Sequence, residues 1–382
     1  MTDTLFTIQE QNEYNAYDKL YPKTHASLIV NPPQATGARI DVTCLPASAG
    51  IAVNLSGQKT ASATTDSSGK CIFEKLDYGE YTISATISGS EKSETVNIDA
   101  SKIHDVSLGV SKTLNDNSWE VISAVSKAGL ASNYWSVGDS KAVTLNGIAG
   151  SSNGLTLNTT LYCYILGFNH DMSSEGGDKD GITFGTFKTA VSNGSNVCLI
   201  NNLEAQNSFF CMNTASVNSG GWRSSYMRYS ILGSTNTPNS DATSTTATSP
   251  ASNTLMSCLP SDLRAVMRPM YIYTDNTGGG SNTASYVTGT LDYLPLLAEV
   301  ELFGVRNFAN VGEQNYQTQY QYYKNGNSKV KYSHVNISSS VLYWGRSPYY
   351  YNSREFFIVN NNGTATATSA NYSYGVAPIF KV

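Results

Sequence analysis

The stretch Trp344-Gly345-Arg346-Ser347-Pro348-Tyr349-Tyr350-Tyr351-Asn352-Ser353-Arg354-Glu355-Phe356-Phe357-Ile358-Val359-Asn360-Asn361-Asn362-Gly363-Thr364 carries the reading of this chain. From Tyr349 to Tyr374 only Arg354 and Glu355 are charged, and Tyr, Asn, Ser and Thr dominate. Tyrosine offers a large amphipathic surface at low entropy cost, and the small polar residues supply adaptable hydrogen bonds, a composition typical of binding surfaces. Phe356-Phe357-Ile358-Val359 reads as a short buried strand, residues 360–363 as an Asn-rich turn, and Thr364 to Ala370 as an alternating return strand. The flanks differ: Trp344, Arg346, Ser347 and Pro348 before it, and Gly375, Val376, Pro378 and Phe380 after it, have the character of a packed frame. A hairpin held between fixed ends would turn polar and aromatic side chains outward.

The whole chain has 382 residues and a net charge of −5, long enough for two or three domains. Abundant Gly, Asn, Ser, Thr and Tyr with little charge favours a β-rich α+β protein with few helices. Lys and Arg are scattered singly, so no basic stripe suits a phosphate backbone, and nucleic-acid binding is not expected. No apolar run is long enough to span a bilayer, and Met1-Thr-Asp-Thr-Leu-Phe lacks the basic and apolar regions of a signal peptide. Synthesis and folding in the cytosol are expected. Cys44, Cys71, Cys163, Cys198, Cys211 and Cys258 form no Cys-x-x-Cys pair, and each reads as a small buried hydrophobe.

Three segments follow in order. Residues 1–33 read as an extended leader ending in Asn31-Pro32-Pro33, and its Leu20-Tyr21-Pro22-Lys23-Thr24 run resembles an N-terminal motif of bacteriophage tail and baseplate proteins. Residues 34–111 alternate as short strands between Gly, Asp and Ser turns, predicting a small β-sandwich. There the run Thr65-Asp66-Ser67-Ser68-Gly69 to Tyr81 resembles the carboxypeptidase-regulatory or prealbumin-like immunoglobulin-like modules. That resemblance implies a turn at Asp66 and Gly69 and core roles for Phe73, Leu76 and Tyr81. Residues 112–382 open with a helix: Asn115 to Ser118 offer capping oxygens, Trp119, Ile122 and Val125 recur at helical spacing, and Gly129 is placed to end it. A second helix is expected from Pro260, with Leu263, Val266 and Met267 on one face. Residues 233–254, rich in Ser, Thr, Asn, Pro and Ala, read as a surface loop.

Catalytic and metal patterns find little support. Gly150-Ser151-Ser152-Asn153-Gly154 fits Gly-x-Ser-x-Gly, but polar turn residues on both sides replace the strand and helix of a nucleophile elbow. His170 and Asp171, followed by Glu175, Asp178 and Asp180, match neither an EF-hand loop nor a zinc site, and His170-Asp171 is expected to pin a turn after a strand over Tyr162 to Phe168. His25, His104 and His334 lie in unrelated stretches. No catalytic residue, metal or cofactor is assigned.

A series of runs, Tyr134-Trp135-Ser136-Val137-Gly138-Asp139, Ile165 to Asp171, Ile182-Thr183-Phe184, Gly220 to Arg228, Leu259 to Met267, Leu291 to Gly304, Tyr320 to Tyr323, Trp344 to Pro348 and Gly375 to Pro378, resembles in its order the DUF6273 family. That family is related to the C-type-lectin-fold proteins diversified by retroelements. The resemblance implies an N-terminal Ig-like sandwich followed by a C-type-lectin-like domain whose hairpin, residues 344–380, varies by adenine-directed mutagenesis. On this basis Tyr349, Tyr351, Arg354, Glu355, Ile358, Thr364, Thr366, Thr368, Ser369, Tyr372 and Tyr374 are the expected ligand contacts. Trp344, Pro348, Phe356, Val359, Gly363, Ala365, Gly375 and Pro378 are the expected invariant frame. The implied protein is a phage receptor-binding or tail-tip adhesion protein of the virion. Its expected partners are a bacterial surface protein or glycan and, through the N-terminus, other tail proteins, with a homotrimer as the tail-like assembly. A bacterial surface lectin without diversification, or an enzyme of the formylglycine-generating type that shares the fold, are the competing expectations.

Overall fold

A computed structural model describes residues 37–87, 89–150, 154–199, 209–235, 239 and 245–382. The leader expected over residues 1–33, and Ser151, Ser152 and Asn153 of the Gly-x-Ser-x-Gly run, lie outside the described residues. The chain is β-rich and divides into two compact units between Val110 and Ser111.

Among the described residues the first unit forms strands β1 (Arg39–Cys44), β2 (Ala52–Gly57), β3 (Ala61–Thr64), β4 (Lys70–Glu74), β5 (Gly79–Ile87), β6 (Ser90–Ile98) and β7 (Ile103–Leu108). They form two sheets, ordered β4-β1-β7 and β3-β2-β5-β6. Every second residue of β1 and β5 is buried, as period-two patterning requires. One cluster including Ile40, Val42, Val53, Leu55, Phe73, Leu76, Tyr81 and Ile83 draws on both sheets. The turn before β4 is built by Asp66, whose Oδ1 accepts from the Ser68 amide at 2.8 Å and the Lys70 amide at 3.0 Å. Gly69 there has φ 75°, and a Cβ at that position would press on the Cys44 carbonyl oxygen. The buried Tyr81 hydroxyl accepts from the Asp77 amide at 3.2 Å, which fixes the corner leading into β5.

The second unit begins with α1 (Trp119–Lys127), capped by Ser118, whose hydroxyl oxygen accepts from the Val121 amide at 3.2 Å. Strands β8 (Ser140–Ala149), β9 (Leu155–Met172), β10 (Lys179–Lys188), β11 (Asn196–Cys198), β12 (Met270–Asp275), β13 (Val287–Asp292), β14 (Lys331–Ser333) and β15 (Asn336–Val341) join one sheet ordered β13-β12-β9-β10-β11-β14-β15, with β8 on β9. A separate sheet holds β16 (Tyr343–Pro348), β17 (Glu355–Val359) and β18 (Ala365–Ser369) in that order. Finally β19 (Phe380–Lys381) pairs with β10. Helices α2 (Ser261–Val266) and α3 (Glu299–Phe303) are short. Leu263 and Met267 are buried as expected, whereas Val266 is only half-buried. A short helix, Thr245–Thr248, interrupts the region read as a loop over 233–254.

Three elements meet at the last residues of the sequence. Ile182 and Val382 exchange two backbone hydrogen bonds of 3.1 and 3.0 Å, and Ser126 of α1 donates to the Val382 backbone oxygen at 2.6 Å. Phe380 stacks on Phe184 with ring centroids 5.4 Å apart, and Trp119 meets Phe184 edge-on at 5.4 Å.

The turn expected at His170 and Asp171 is not there. Strand β9 runs on to Met172, passing Asn169 at φ 48° with irregular register against β10. The reason is polar: Asp171 is buried and accepts from Tyr320 at 2.9 and 3.0 Å and from Thr183 on β10, so the strand is held past the bulge.

Three of the four tryptophans bury their rings and satisfy their N–H groups: Trp135 Nε1 donates to the Ser111 oxygen at 3.1 Å, Trp222 Nε1 to Asp292 at 3.3 Å and Trp344 Nε1 to the Phe210 oxygen at 2.8 Å. Trp344 is 1% exposed on β16. Truncation of Trp344 to alanine is expected to cost about 3–5 kcal/mol in denaturant unfolding; a loss under about 1 kcal/mol would show that the three-stranded sheet does not depend on that ring.

Candidate recognition surface

The three-stranded sheet carries the quoted hairpin. Its central strand β17 pairs with β16 through Tyr343↔Val359 and Trp344↔Ile358, and with β18 through Phe356↔Thr368 and Ile358↔Thr366. The turn closes as the Asn-rich run suggested, with the Asn360 amide donating to Thr364 at 2.8 Å and Gly363 at φ 84°.

Between β16 and β17 the loop from Tyr349 to Arg354 projects its rings. Tyr351 is 78% exposed, the most exposed of the large hydrophobic side chains. Tyr349, Tyr350 and Tyr351 lie 5.6–6.3 Å apart centroid to centroid, Phe308 meets Tyr349 at 5.2 Å, and the Arg306 guanidinium sits 5.4 Å from the Tyr350 ring. The fully buried Asn218 fastens this loop from beneath. Its side-chain amide donates to the carbonyls of Tyr349 at 3.3 Å, Asn352 at 2.8 Å and Glu355 at 2.8 Å, and its backbone amide donates to Ser353 at 2.8 Å. Its Oδ1 accepts from the Gly279 amide at 2.8 Å. Gly278 allows this approach: at φ 63° its own Cβ would overlap the Asn218 carbonyl oxygen.

Below the loop lies a set of buried charges. Arg346 of β16 grips Glu301 of α3 with two bonds of 2.6 and 2.5 Å, and also donates to Thr274 at 2.8 Å and the Leu296 carbonyl at 2.7 Å. Neighbouring Ser347 donates to Glu313 at 2.6 Å. Arg228 and Asp292 form a second buried pair at 2.6 Å. Glu299 has no such cation bonded to it and instead accepts from the amides of Asn307, Phe308 and Ala309 at 2.8–2.9 Å, with burial pushing its carboxyl above the ordinary range. Burial likewise pushes Glu313 up to about 7, against the opposing pull of the Ser347 hydroxyl and Arg346. Asp171 goes the other way: burial opposes ionisation, but His170 and the Thr183 and Tyr320 hydroxyls outweigh it and hold the acid at about 2.

Most of the expected contacts keep some solvent exposure. Tyr351, Arg354 and Thr364 are exposed, while Tyr349, Glu355, Thr366, Thr368, Ser369 and Tyr372 are half-buried. Two expectations are corrected. Ile358 is 1% exposed, its side chain among the buried hydrophobic groups of the central strand β17, and Tyr374 is 8% exposed because its ring packs edge-on against Trp344 at 5.3 Å. Within the expected frame, Trp344, Pro348, Phe356, Val359, Gly375 and Pro378 are buried, and Gly363 and Ala365 are half-buried. The carboxylates Glu299, Glu301, Glu313, Asp275 and Asp292, the loop-fastening Asn218, and Arg306 and Phe308 beside the tyrosines were not anticipated as part of this surface. Only the acids within Ala298-Glu299-Val300-Glu301-Leu302-Phe303, set among apolar residues, give a sequence signal.

The other candidate chemistries are placed as follows. All six cysteines are buried and free, and burial pushes the Cys211 and Cys258 thiols up to about 11 and Cys198 up to about 12. Asp180 is bonded through Oδ1 to Lys381 at 2.9 Å and through Oδ2 to Arg268 at 2.5 Å. Among the described residues no group of three or more His, Cys, Asp or Glu side chains is arranged to hold a metal, and no helix is long and apolar enough to cross a membrane.

The second unit is thus a β-rich domain that holds an aromatic loop on a charged, hydrogen-bonded base. Residues 237–382 of it match the family described as "Domain of unknown function (DUF6273)". The runs quoted earlier between Tyr134 and Arg228 precede the matched stretch. No curated protein matches the chain.

Replacing Arg346 with methionine leaves Glu301 buried without its cation and is expected to cost about 3–5 kcal/mol, while the double change Arg346→Met with Glu301→Leu regains a large part of it. Urea titrations of both variants and the parent decide this; equal losses for the single and double variants would deny the coupling. For Glu313 the folded state binds the proton more tightly than an ordinary carboxyl, so its contribution is present below pH about 4.5 and is lost as pH rises through about 7. Glu313→Gln should remove that declining segment from a plot of Tm against pH between 4 and 8; an unchanged slope would assign the decline elsewhere.

Proposed function

We propose that residues 111–382 form a C-type-lectin-like binding domain, that the first unit is an Ig-like spacer, and that the chain is a phage receptor-binding or tail-tip adhesion protein. Its ligand is a molecule of the bacterial surface, and its residence is the virion tail. On this reading the hairpin over 344–380 is diversified by a retroelement and other tail proteins dock at the N-terminus.

The observation that carries this reading is the contrast between adjacent positions of one hairpin. Trp344, Pro348, Phe356, Val359, Gly375 and Pro378 are buried, while Tyr349, Tyr351, Arg354, Glu355, Thr364, Thr366, Thr368, Ser369 and Tyr372 keep contact with solvent. Exposed substitutions away from special features change stability by only about 0.5 kcal/mol, so such a surface can exchange identities on a constant base. Aromatic and arginine side chains in that exposed set are the residue types from which binding hot spots are made. The Tyr81 to Asp77 bond and the paired sheets of the first unit agree with an Ig-like spacer. A binding role also suits the cysteines, whose buried, poorly ionised thiols offer no nucleophile of the formylglycine-generating kind.

Fluorescently labelled full chain should adsorb to a subset of a panel of intact bacterial strains. Tyr351→Ala with Arg354→Ala should reduce that adsorption at least tenfold and move Tm by less than about 3 °C, since both side chains are exposed. Adsorption unaffected by the double change would remove the loop from recognition. Sequencing the locus should find an adenine-rich template repeat of the hairpin beside a reverse-transcriptase gene; a single invariant hairpin across isolates with no such repeat would favour an undiversified surface lectin.

A further inference from the structure

The segment from Asn213 to Ser219 runs along one side of the hairpin and is tied to it at both ends. Asn218 donates its backbone amide to the Ser353 carbonyl at 2.8 Å, and Asn213 donates its own to the Ala370 carbonyl at 3.0 Å. Between them the Ser216 and Ser369 hydroxyls bond to each other. Arg354 sits between these attachments, next in sequence to Ser353 and bonded through its carbonyl to the Ala370 amide at 2.8 Å. The segment lies outside residues 344–380 and precedes the stretch 237–382 that matches the family.

Within this segment Val217 turns an apolar side chain to solvent and is 45% exposed. A single exposed valine is ordinary; what sets this one apart is how it is held. Its amide donates to the Ala215 carbonyl at 2.8 Å, and its carbonyl accepts from Asn213 Nδ2 at 2.7 Å. Asn213 is itself fixed, its Oδ1 accepting from the Tyr226 amide at 3.1 Å, and Asn218 is fully buried. A β-branched side chain has little rotamer freedom to begin with. On a backbone bonded on both sides it has little order left to lose, and lost order is a cost that weakens binding by mobile surfaces. Its chain neighbours Ser216 and Asn218 are tied to Ser369 and Ser353, which places Val217 alongside the exposed Arg354.

We propose that Val217 is a contact residue of the same recognition surface, a fixed apolar group at the border of the hairpin. The inference rests on the reading of that hairpin as the site that takes a bacterial surface molecule. A ligand seated on Tyr351 and Arg354 covers Val217 as well. The valine then closes water off from the Arg354 side of the contact, the part that near-neutral apolar surroundings play around binding hot spots. The proposed diversification of residues 344–380 leaves Val217 unchanged, so every version of the hairpin works beside the same apolar group. Specificity is thereby divided: the hairpin tunes the fit, and the 213–219 segment demands a ligand that accepts an apolar border.

Adsorption of labelled full chain to the bacterial strains that take up the parent tests this. Val217→Asp puts a carboxylate where the bound ligand excludes water and should lower adsorption at least tenfold, whereas Val217→Ile should keep it within threefold. The Tm of both variants should stay within about 3 °C of the parent, since the side chain is exposed. The rate of tryptic cleavage after Arg354 should be unchanged, which shows that the loop keeps its conformation. Val335→Asp, at an exposed valine of the turn between β14 and β15, is the control and should leave adsorption within twofold. Full adsorption by Val217→Asp, with the Tyr351→Ala and Arg354→Ala double variant still reduced tenfold, overturns the proposal and leaves the hairpin's role intact. Equal loss on Val335→Asp would make the effect one of added charge, and faster cleavage after Arg354 would make it one of loop conformation; either result also overturns it. If the parent adsorbs to no strain, the reading of the hairpin falls and this inference falls with it.

Discussion

Arg346 is the residue on which the second unit closes. It lies on β16, yet its guanidinium bonds to Glu301 on α3, Thr274 on β12 and the Leu296 carbonyl, so a single side chain ties the three-stranded sheet to the large one and to a helix. Removing two charges from water is expensive, and mutual attraction compensates only when geometry is good and remaining donors are met. Here the fork is bidentate and both partners are almost fully buried. Glu301 also accepts from the Ala298 amide at 2.9 Å, which starts α3 and sets the angle at which it meets Arg346. An apolar replacement could fill the same space, but it would not specify which carbonyl, which hydroxyl and which carboxylate come together.

The same logic extends outward to the loops. Glu299 gathers three successive amides from Asn307 to Ala309, and Phe308 from that turn then receives the Tyr350 amide at 3.0 Å and meets the Tyr349 ring. Asp275 accepts from the amides of Thr277 and Gly278 and from Asn310, while Asn218 holds four points of the 349–355 loop. Segments without regular secondary structure normally satisfy their backbone groups with water. In this domain buried side chains do it, so loop conformation is set from below and does not rely on the outward-facing residues.

That arrangement explains which parts of the fold were legible from sequence. The first unit was readable because strands such as β1, β4 and β5 alternate between buried and outward positions, and Asp66, Gly69, Phe73, Leu76 and Tyr81 each sit where local turn chemistry and periodicity put them. The strand over 356–359, its Asn-Gly turn and the capped helix at Trp119 were equally local. Long-range pairings were not: Arg346 lies 45 residues from Glu301, and Asn218 lies 131 residues from Tyr349. No spacing rule links such positions. The same blindness misplaced Ile358, which the resemblance set among the ligand contacts but which is buried on β17, and Asp171, which a local reading ended in a turn while Tyr320, 149 residues away, kept it in the strand.

The geometry also ranks the proposed contact positions against one another. Thr366 and Thr368 lie on β18 directly across from Ile358 and Phe356, so their side chains leave the sheet on the face where those buried groups pack. A large side chain there would have to lie along the edge of the core, and Ser369 is further tied to Ser216. Tyr372 stacks on Tyr374, which in turn braces Trp344, so its ring is coupled to the frame. Tyr351 and Arg354 carry none of these obligations: their loop is fastened through backbone carbonyls by Asn218, and their side chains stand clear of the sheet. The freedom to change identity without disturbing the base is therefore concentrated in the loop between β16 and β17 and is smaller on the return strand, whose residues are all half-buried.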